Sequence, residues 1–387
     1  VKSIALKMLM GDRAKFFGIL MGLTFASLLI TQQSAIFIGL MTRTYGFVTD
    51  AQLPDVWVMD PKVQFVDDMK PLQETQLYRT RSVEGVEWAV PMYRGFLRAR
   101  LEDGNFQTCI VNGLDDATLI GGPARMAQGA LEDLRRGEGV IVDRSAAFDK
   151  LAKPPLEPGG PRVPLEIGDT LEINDHRAVV VGFCETSPTL MAYPVVYTTY
   201  SRALEFAPRE RKLLTFVLVK AKAGQAIDEL CQRIEAATGL AARPKDELES
   251  LTVDYYMKYT GIPVNFGIAV LLGFIVGVAI AGQTFYNFTL ENLRHFGALK
   301  AMGASRRVLL SMIVLQAVLV GAIGYGLGVG GAALFGELTK NTALAFHFPW
   351  QLLALSAAAI ALICVFSALI SIRKVFRLEP AIVFKGG

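Results

Sequence analysis

Charge is scarce in this chain: Asp, Glu, Lys and Arg supply 19% of its 387 residues, where ordinary soluble domains carry about 25%. The 39 basic and 36 acidic residues leave a formal net charge of +3, too small to mark a polyanion-binding surface, so nucleic acid is not an expected partner. Cysteine is also sparse. Cys109, Cys184, Cys231 and Cys364 form no C-x-x-C pair, which excludes a zinc ribbon or a dense disulfide framework and leaves small buried hydrophobes. The three histidines, His176, His295 and His347, are far apart and none precedes Glu, so a His-Glu-x-x-His metal site is absent. A phosphate-binding loop needs Lys followed by Ser or Thr; only Lys2-Ser3 qualifies, with no glycine loop before it. No Gly-x-Ser-x-Gly elbow occurs either. These gaps argue against an enzyme: no catalytic, metal or cofactor-binding residues are assigned.

Long uncharged stretches are abundant. Phe16–Thr42, Tyr259–Leu290, Val308–Gly336 and Leu352–Ile372 each contain no charged residue, and about 20 mostly apolar residues suffice to cross a bilayer. A charge near the centre of such a helix costs about 2.5–3.5 kcal/mol, while each Leu, Ile, Phe or Val returns only about 0.3–0.6, so four clean windows are a strong signal. The first is too long for a cleaved signal, whose apolar region runs about 7–15 residues. No acidic residue lies within the spans, which argues against a proton relay. Gln32, Gln33, Asn265, Gln283, Asn287 and Gln316 are polar span positions, suited to bonds between helices or to lining a path. Gly324, Gly326, Gly328 and Gly330 give overlapping G-x-x-x-G spacings in the third span, a close-packing face that fits either its own bundle or a second copy.

Three flanks are basic: Lys2, Lys7, Arg13 and Lys15; Arg294, Lys300, Arg306 and Arg307; and Arg373, Lys374, Arg377 and Lys385. Short basic flanks stay in the cytoplasm, so both termini and the 291–307 connection are expected there, with residues 43–258 outside. Tyr255, Tyr256, Tyr259 and Trp350 fall where outer-interface aromatics would sit. The fold class expected is an α-helical membrane protein with four transmembrane helices and an external mixed α/β domain inserted between helices 1 and 2. The division is residues 1–42 (interfacial segment and first span), 43–258 (external domain with helical ends) and 259–387 (three spans, connection and tail).

Within 43–258 the strand-like runs are Asp55–Met59, Val86–Val90, Phe96–Leu101, Phe106–Val111, Gly139–Asp143, Thr170–Ile173, Ala178–Gly182, Pro194–Tyr197 and Leu214–Val219. Asp103-Gly104 marks a hairpin. Ser145–Leu151 reads as a helix, residues 153–161 as a Pro/Gly-rich break, and Ile227, Leu230, Ile234 and Ala237 as one helix face. The ends, Ser34–Tyr45 and Lys245–Lys258, read as helices that project as a paired stalk.

In the 291–304 connection Leu293, Phe296, Leu299 and Met302 recur every three residues beside Arg294 and Lys300, with Gly303 as a helix stop and Ser305 as the next N-cap. An amphipathic helix lying on lipid also fits this pattern.

Phe296-Gly-Ala-Leu-Lys-Ala-Met-Gly-Ala-Ser305 resembles the coupling element "E-I-G-x-L-R-A-L-G-A-S" of the FtsX/MacB-like permeases of ABC transporters, the type VII fold. The tail Arg377-Leu-Glu-Pro-Ala381 resembles the family's closing pattern, with Val383 where Leu is usual. Gly139–Asp143, Ile167–Asp169 and Val179–Gly182 look like the core of its external domain, and Trp57–Asp60 is similar to the DevC-type branch. His295-Phe296 departs from the usual acidic-plus-aliphatic pair before the glycine. The resemblance implies a permease subunit in a bacterial inner membrane that transmits movement from a separate ABC ATPase, which would hold ATP and Mg, to the external domain. It implies ATPase coupling through Leu293, Arg294, Phe296, Gly297, Leu299, Lys300, Met302 and Gly303, with Phe296, Leu299 and Met302 inserted into an ATPase groove. It further implies a second copy of the chain, and a periplasmic adaptor and outer-membrane channel as partners in export or extraction of a lipid-like, peptide or drug-like substrate. The alternative it offers is an FtsX-like regulator that activates an extracytoplasmic hydrolase without transport.

The basic flanks predict a labelling pattern. In a chain lacking the native cysteines, a single cysteine at Gly104 is expected to react with an impermeant maleimide on intact spheroplasts, whereas one at Ala304 is not; the reverse would overturn the topology.

Overall fold

The computed structural model describes residues 2–155, 157, 159–208, 213–340, 342 and 344–376, and the tail motif 377–381 lies outside them. In chain order the helices are α1 Lys2–Gly11, α2 Arg13–Asp50, α3 Thr75–Arg81, α4 Arg144–Phe148, α5 Tyr200–Phe206, α6 Ile227–Thr238, α7 Lys245–Tyr259, α8 Ile262–Glu291, α9 Leu293–Ala301, α10 Arg306–Thr339 and α11 Trp350–Phe376. The strands are β1 Val56–Met59, β2 Val86–Arg100, β3 Phe106–Leu114, β4 Arg125–Gln128, β5 Gly139–Asp143, β6 Thr170–Ile173, β7 His176–Glu185, β8 Val195–Thr199, β9 Phe216–Ala221 and β10 Ala241–Pro244. The chain divides into two compact units, one of residues 1–40 with 261–387 and one of residues 41–260.

Among the described residues four helices are long and apolar enough to cross a membrane, α2, α8, α10 and α11; residues 13–40 of α2 and the other three helices lie in the helical unit. The break before α2 is local chemistry: Gly11 ends α1, and the Asp12 carboxylate accepts the Lys15 N–H at 3.2 Å as an N-cap. The α1 segment is more than an interfacial prelude. Ala5 and Leu9 are fully buried among residues of α2, α8, α10 and α11, and buried Gln316 donates Nε2 to the Ala5 carbonyl at 2.7 Å. Of the six polar span positions, Gln316 makes a bond between helices, while Gln283 donates to Asn287 within α8 at 3.5 Å. Further bonds between helices come from hydroxyls: Ser27 to the Tyr325 carbonyl at 3.2 Å, Tyr325 to the Leu353 carbonyl at 2.9 Å, and Thr289 with Ser371.

The glycines of α10 split into two faces. A Cβ on Gly324 would lie 2.8 Å from Leu23 Cβ, and one on Gly328 would lie 2.4 Å from Ser27 Cβ and 2.7 Å from the Thr24 carbonyl. Gly324 and Gly328, four apart, therefore seat α2 against α10 inside one copy of the chain. Around Gly326 and Gly330, nothing among the described residues comes within 4 Å of such a Cβ, so these two do not pack the bundle.

Among the described residues the second unit holds a mixed sheet of ten strands in the order β10-β1-β9-β2-β3-β8-β5-β7-β4, with β6 paired to β2 and β7. Asp103-Gly104 closes the β2–β3 hairpin, Gly104 taking φ +83°. The two strands read separately at 86–90 and 96–101 are one strand, because β2 pairs with β9 over its first half and with β3 over its second. Alternation sorts β1 cleanly: Val56 and Val58 enter one core, Trp57 and Met59 the other. Residues of α4, α5 and α6 join the first core; Phe47 and Val48 of α2, Leu248 of α7, and Val63 and Val66 join the second. On α6 the buried face is Leu230, Cys231, Ile234 and Thr238 rather than one ending at Ala237, which is exposed. All four cysteines are buried free thiols; burial pushes Cys109 and Cys231 up to about 12, far from the thiolate form a nucleophile needs. Tyr255 stacks on Phe65 at 4.4 Å and Tyr256 meets the same ring edge-on, so both tyrosines pack on the 60–72 loop.

The glycine geometry makes a sharp contrast. Gly328→Ala is expected to destabilise the helical unit by about 1–3 kcal/mol through overpacking, whereas Gly326→Ala is expected to be neutral or to stabilise it by up to about 1 kcal/mol through helix propensity. Reversible unfolding in mixed micelles measures both.

Candidate coupling site

The α8–α9–α10 connection is fixed by its own backbone. Asn292 ends α8, and α9 closes with two bonds: Gly303 N–H to the Lys300 carbonyl at 3.1 Å, and Ala304 N–H to the Leu299 carbonyl at 2.9 Å. With Gly303 at φ +90°, this is a Schellman stop, which a side chain at that position would strain. Ser305 then caps α10 by accepting from Val308 N–H at 3.4 Å. The stop and cap read from Gly303 and Ser305 are both present.

The apolar stripe does not all point one way. Phe296 is 1% exposed and Gly297 is buried. The Phe296 ring belongs to the core that also holds Leu9, Phe285, Leu309 and Met312, with Leu299 and Ala304 packed against it. Insertion of Phe296 into an ATPase groove is therefore corrected: the residue is consumed by its own bundle, and a Phe296→Asp change would damage that core before it reported on a partner. Leu293, Leu299 and Lys300 are half-buried, whereas Arg294, His295 and Gly303 are exposed and Met302 is 76% exposed. The long side chains exposed between 293 and 303 are thus Arg294, His295 and Met302, with Ala298, Ala301 and Gly303 exposed beside them.

A second brace lies at the foot of α8. Lys15 bonds Asp12 at 2.5 Å and also pairs with Glu291, joining the start of α2 to the end of α8. Beside it a cleft of 500 Å³ is bounded by Ile4, Lys7 and Met8 of α1, Asp12, Glu291 and His295. The sequence signal for α1 is the Gly11-Asp12 break, a stop followed by an N-cap. Among the described residues no group of three or more His, Cys, Asp and Glu side chains could hold a metal ion.

Comparison with known proteins agrees with this architecture. The family model of the MacB-like periplasmic core domain matches residues 19–237, and that of the FtsX-like permease C-terminal region matches residues 267–380. The chain belongs to the FtsX/MacB family of ABC transporter permeases and is a multi-pass membrane protein. It is similar to an uncharacterized ABC transporter permease of Mycobacterium tuberculosis, 27% identical over 222 residues, and to one of Mycobacterium bovis, 26% identical over 228 residues. Each alignment covers 57% of this chain and 58% of the relative, so the chain spans little more than half the length of these proteins. Among solved structures, the periplasmic region of MacB from Actinobacillus actinomycetemcomitans aligns at a TM-score of 0.37 and 12% identity, over 52% of this chain and 92% of that one. The extracellular domain of the noncanonic ABC-type transporter YknZ from Gram-positive bacteria aligns at 0.34 and 11%, over 50% and 99%.

The division of the stripe predicts opposite behaviour for two of its members. Phe296→Ala is expected to cost about 3–5 kcal/mol of stability, as truncation of a buried aromatic does; Met302→Ala is expected to stay within about 0.5 kcal/mol of wild type. Denaturant unfolding in detergent distinguishes them.

Proposed function

We propose that this chain is the permease subunit through which a separate ABC ATPase drives its α/β domain, in a bacterial inner membrane with both termini cytoplasmic. One observation carries this reading: α9 is anchored to the helical core through Phe296 while Arg294, His295 and Met302 face outward. A helix held in this way transmits a push, whereas one that only rests on lipid would not. The rigid stop at Gly303 and the Lys15 bridge to Asp12 and Glu291 support it, because they tie α9 to α8, α10 and the start of α2. Met302 is the anchor offered to the partner, since flexible thioethers suit adaptable apolar contacts, and Arg294 complements an acidic rim.

ATP and Mg belong to the partner in this reading, because the chain has no phosphate-binding loop. Two copies of the permease with two ATPase subunits form the working assembly, and the open Gly326 and Gly330 face of α10 supports pairing through the membrane. The substrate is lipid-like, peptide or drug-like and is extracted or exported without a charged path through the spans; the absence of acidic residues from the four uncharged windows supports this.

The test is co-purification with the ATPase in detergent. The chain alone is expected to show background phosphate release. Met302→Asp is expected to lower ATPase recovery about tenfold or more, the consequence of an unpaired carboxylate at a desolvated contact, with unfolding unchanged. Equal recovery and equal ATP turnover would contradict the assignment.

A further inference from the structure

The α/β unit contains a buried cation that neither the core nor the coupling site explains. Arg94 lies on β2 and is 3% exposed. Its Nε and Nη2 donate to Asp67 Oδ1 at 3.1 and 2.7 Å, and its Nη1 donates to Asn112 Oδ1 on β3 at 2.8 Å. The face of the guanidinium lies over the ring of Phe47, 3.9 Å from its centroid. Four parts of the chain meet at one side chain: two neighbouring strands, the 60–72 loop and the end of α2.

The same junction is held at its edges. Asp50, the last residue of α2, accepts from Ser187 N–H and Oγ, both at 2.8 Å. Gly46 permits that approach, since a Cβ there would sit 2.5 Å from Ser187 Cβ. Thr49 donates to Glu249 at 3.0 Å, and Lys245 donates to the Thr49 carbonyl at 3.0 Å, joining α2 to α7. The 60–72 loop reaches α7 as well, through Val66 N–H to Thr252 Oγ1 at 3.2 Å and the Phe65–Tyr255 stack. Arg94 is the part of this junction that reaches from the sheet to both the loop and α2.

We propose that Arg94 is a positioning residue that fastens the end of α2 and the 60–72 loop to the sheet, so that the three move as one body. Arg94 is buried and Asp67 half-buried; an ion pair removed from water in this way contributes little net stability against an apolar replacement of similar volume, but it fixes geometry. Only arginine supplies a flat face for a ring together with forked donors for a carboxylate and an amide. Arg94 therefore sets the register of α2 on the sheet, and core packing supplies the stability. The consequence for coupling rests on the transmission reading above: movement entering along α2 reaches the strands through this contact.

The test is hydrogen exchange on the full chain in nanodiscs. In Arg94→Met/Asp67→Leu, backbone amides of 41–50 and 60–72 are expected to exchange roughly tenfold faster, while β5 and β7 and the melting temperature stay close to wild type. Arg94→Lys, which keeps the charge but not the fork, is expected to release the same segments. If the double variant fails to fold, Phe47→Leu, which leaves the ion pair intact, is expected to loosen 41–50 by about threefold or more. Exchange in 41–50 within about twofold of wild type, in a folded variant, would overturn the proposal. With the ATPase bound, the nucleotide-dependent exchange change in β5 and β7 is expected to disappear in the double variant while ATP hydrolysis persists; its survival would also overturn the proposal. If the wild type shows no such change, the transmission reading fails, and the fastening stands or falls on the exchange of 41–50 alone.

Discussion

The burial of Phe296 decides what α9 can do. A nine-residue helix has too few internal hydrogen bonds to persist alone, so its shape has to be imposed by contacts outside it. Phe296 supplies the main one, worth about 1.5–3 kcal/mol for a fully buried ring. The Schellman stop at Gly303 and the Ser305 cap fix where the helix ends and the next begins. With that face committed to the bundle and Leu293, Leu299 and Lys300 half-buried, Arg294, His295 and Met302 are left exposed.

The α/β unit obeys a similar division of labour. Its sheet is covered on one face by residues of α4 to α6 and on the other by the end of α2, α7 and the 60–72 loop. Helices α2 and α7 differ in continuity: α2 runs unbroken from Arg13 to Asp50, whereas α7 ends at Tyr259 and α8 starts at Ile262. The face that receives α2 is also the face where a charge, Arg94, replaces an apolar side chain. Apolar packing is non-directional; a forked cation is not.

Much of this was legible in the sequence. Four uncharged windows gave the spans because the bilayer punishes a central charge heavily, and Asp103-Gly104 gave its hairpin because few residues accept positive φ. The glycine spacing of α10 signals close packing, but a spacing of four does not say which of two interleaved sets faces inward; Gly324 and Gly328 do, Gly326 and Gly330 do not. A stripe every third residue marked the apolar face of α9, but not what it packs against, and the bundle took Phe296. The short strands β4 and β10 carry no alternating pattern; the partners that make them strands are distant in sequence. Arg94 was invisible for the same reason, since Asp67, Asn112 and Phe47 converge on it only after the chain has folded.

The claim that α9 is a braced contact surface is tested most directly by site-specific cross-linking to the bound ATPase. A photoreactive amino acid placed at position 302 should cross-link to the ATPase in membranes, and the yield should change with nucleotide, while the same group at buried position 320 of α10 should yield none. Co-purification of the two proteins with no cross-link from 302 in any nucleotide state would contradict the account.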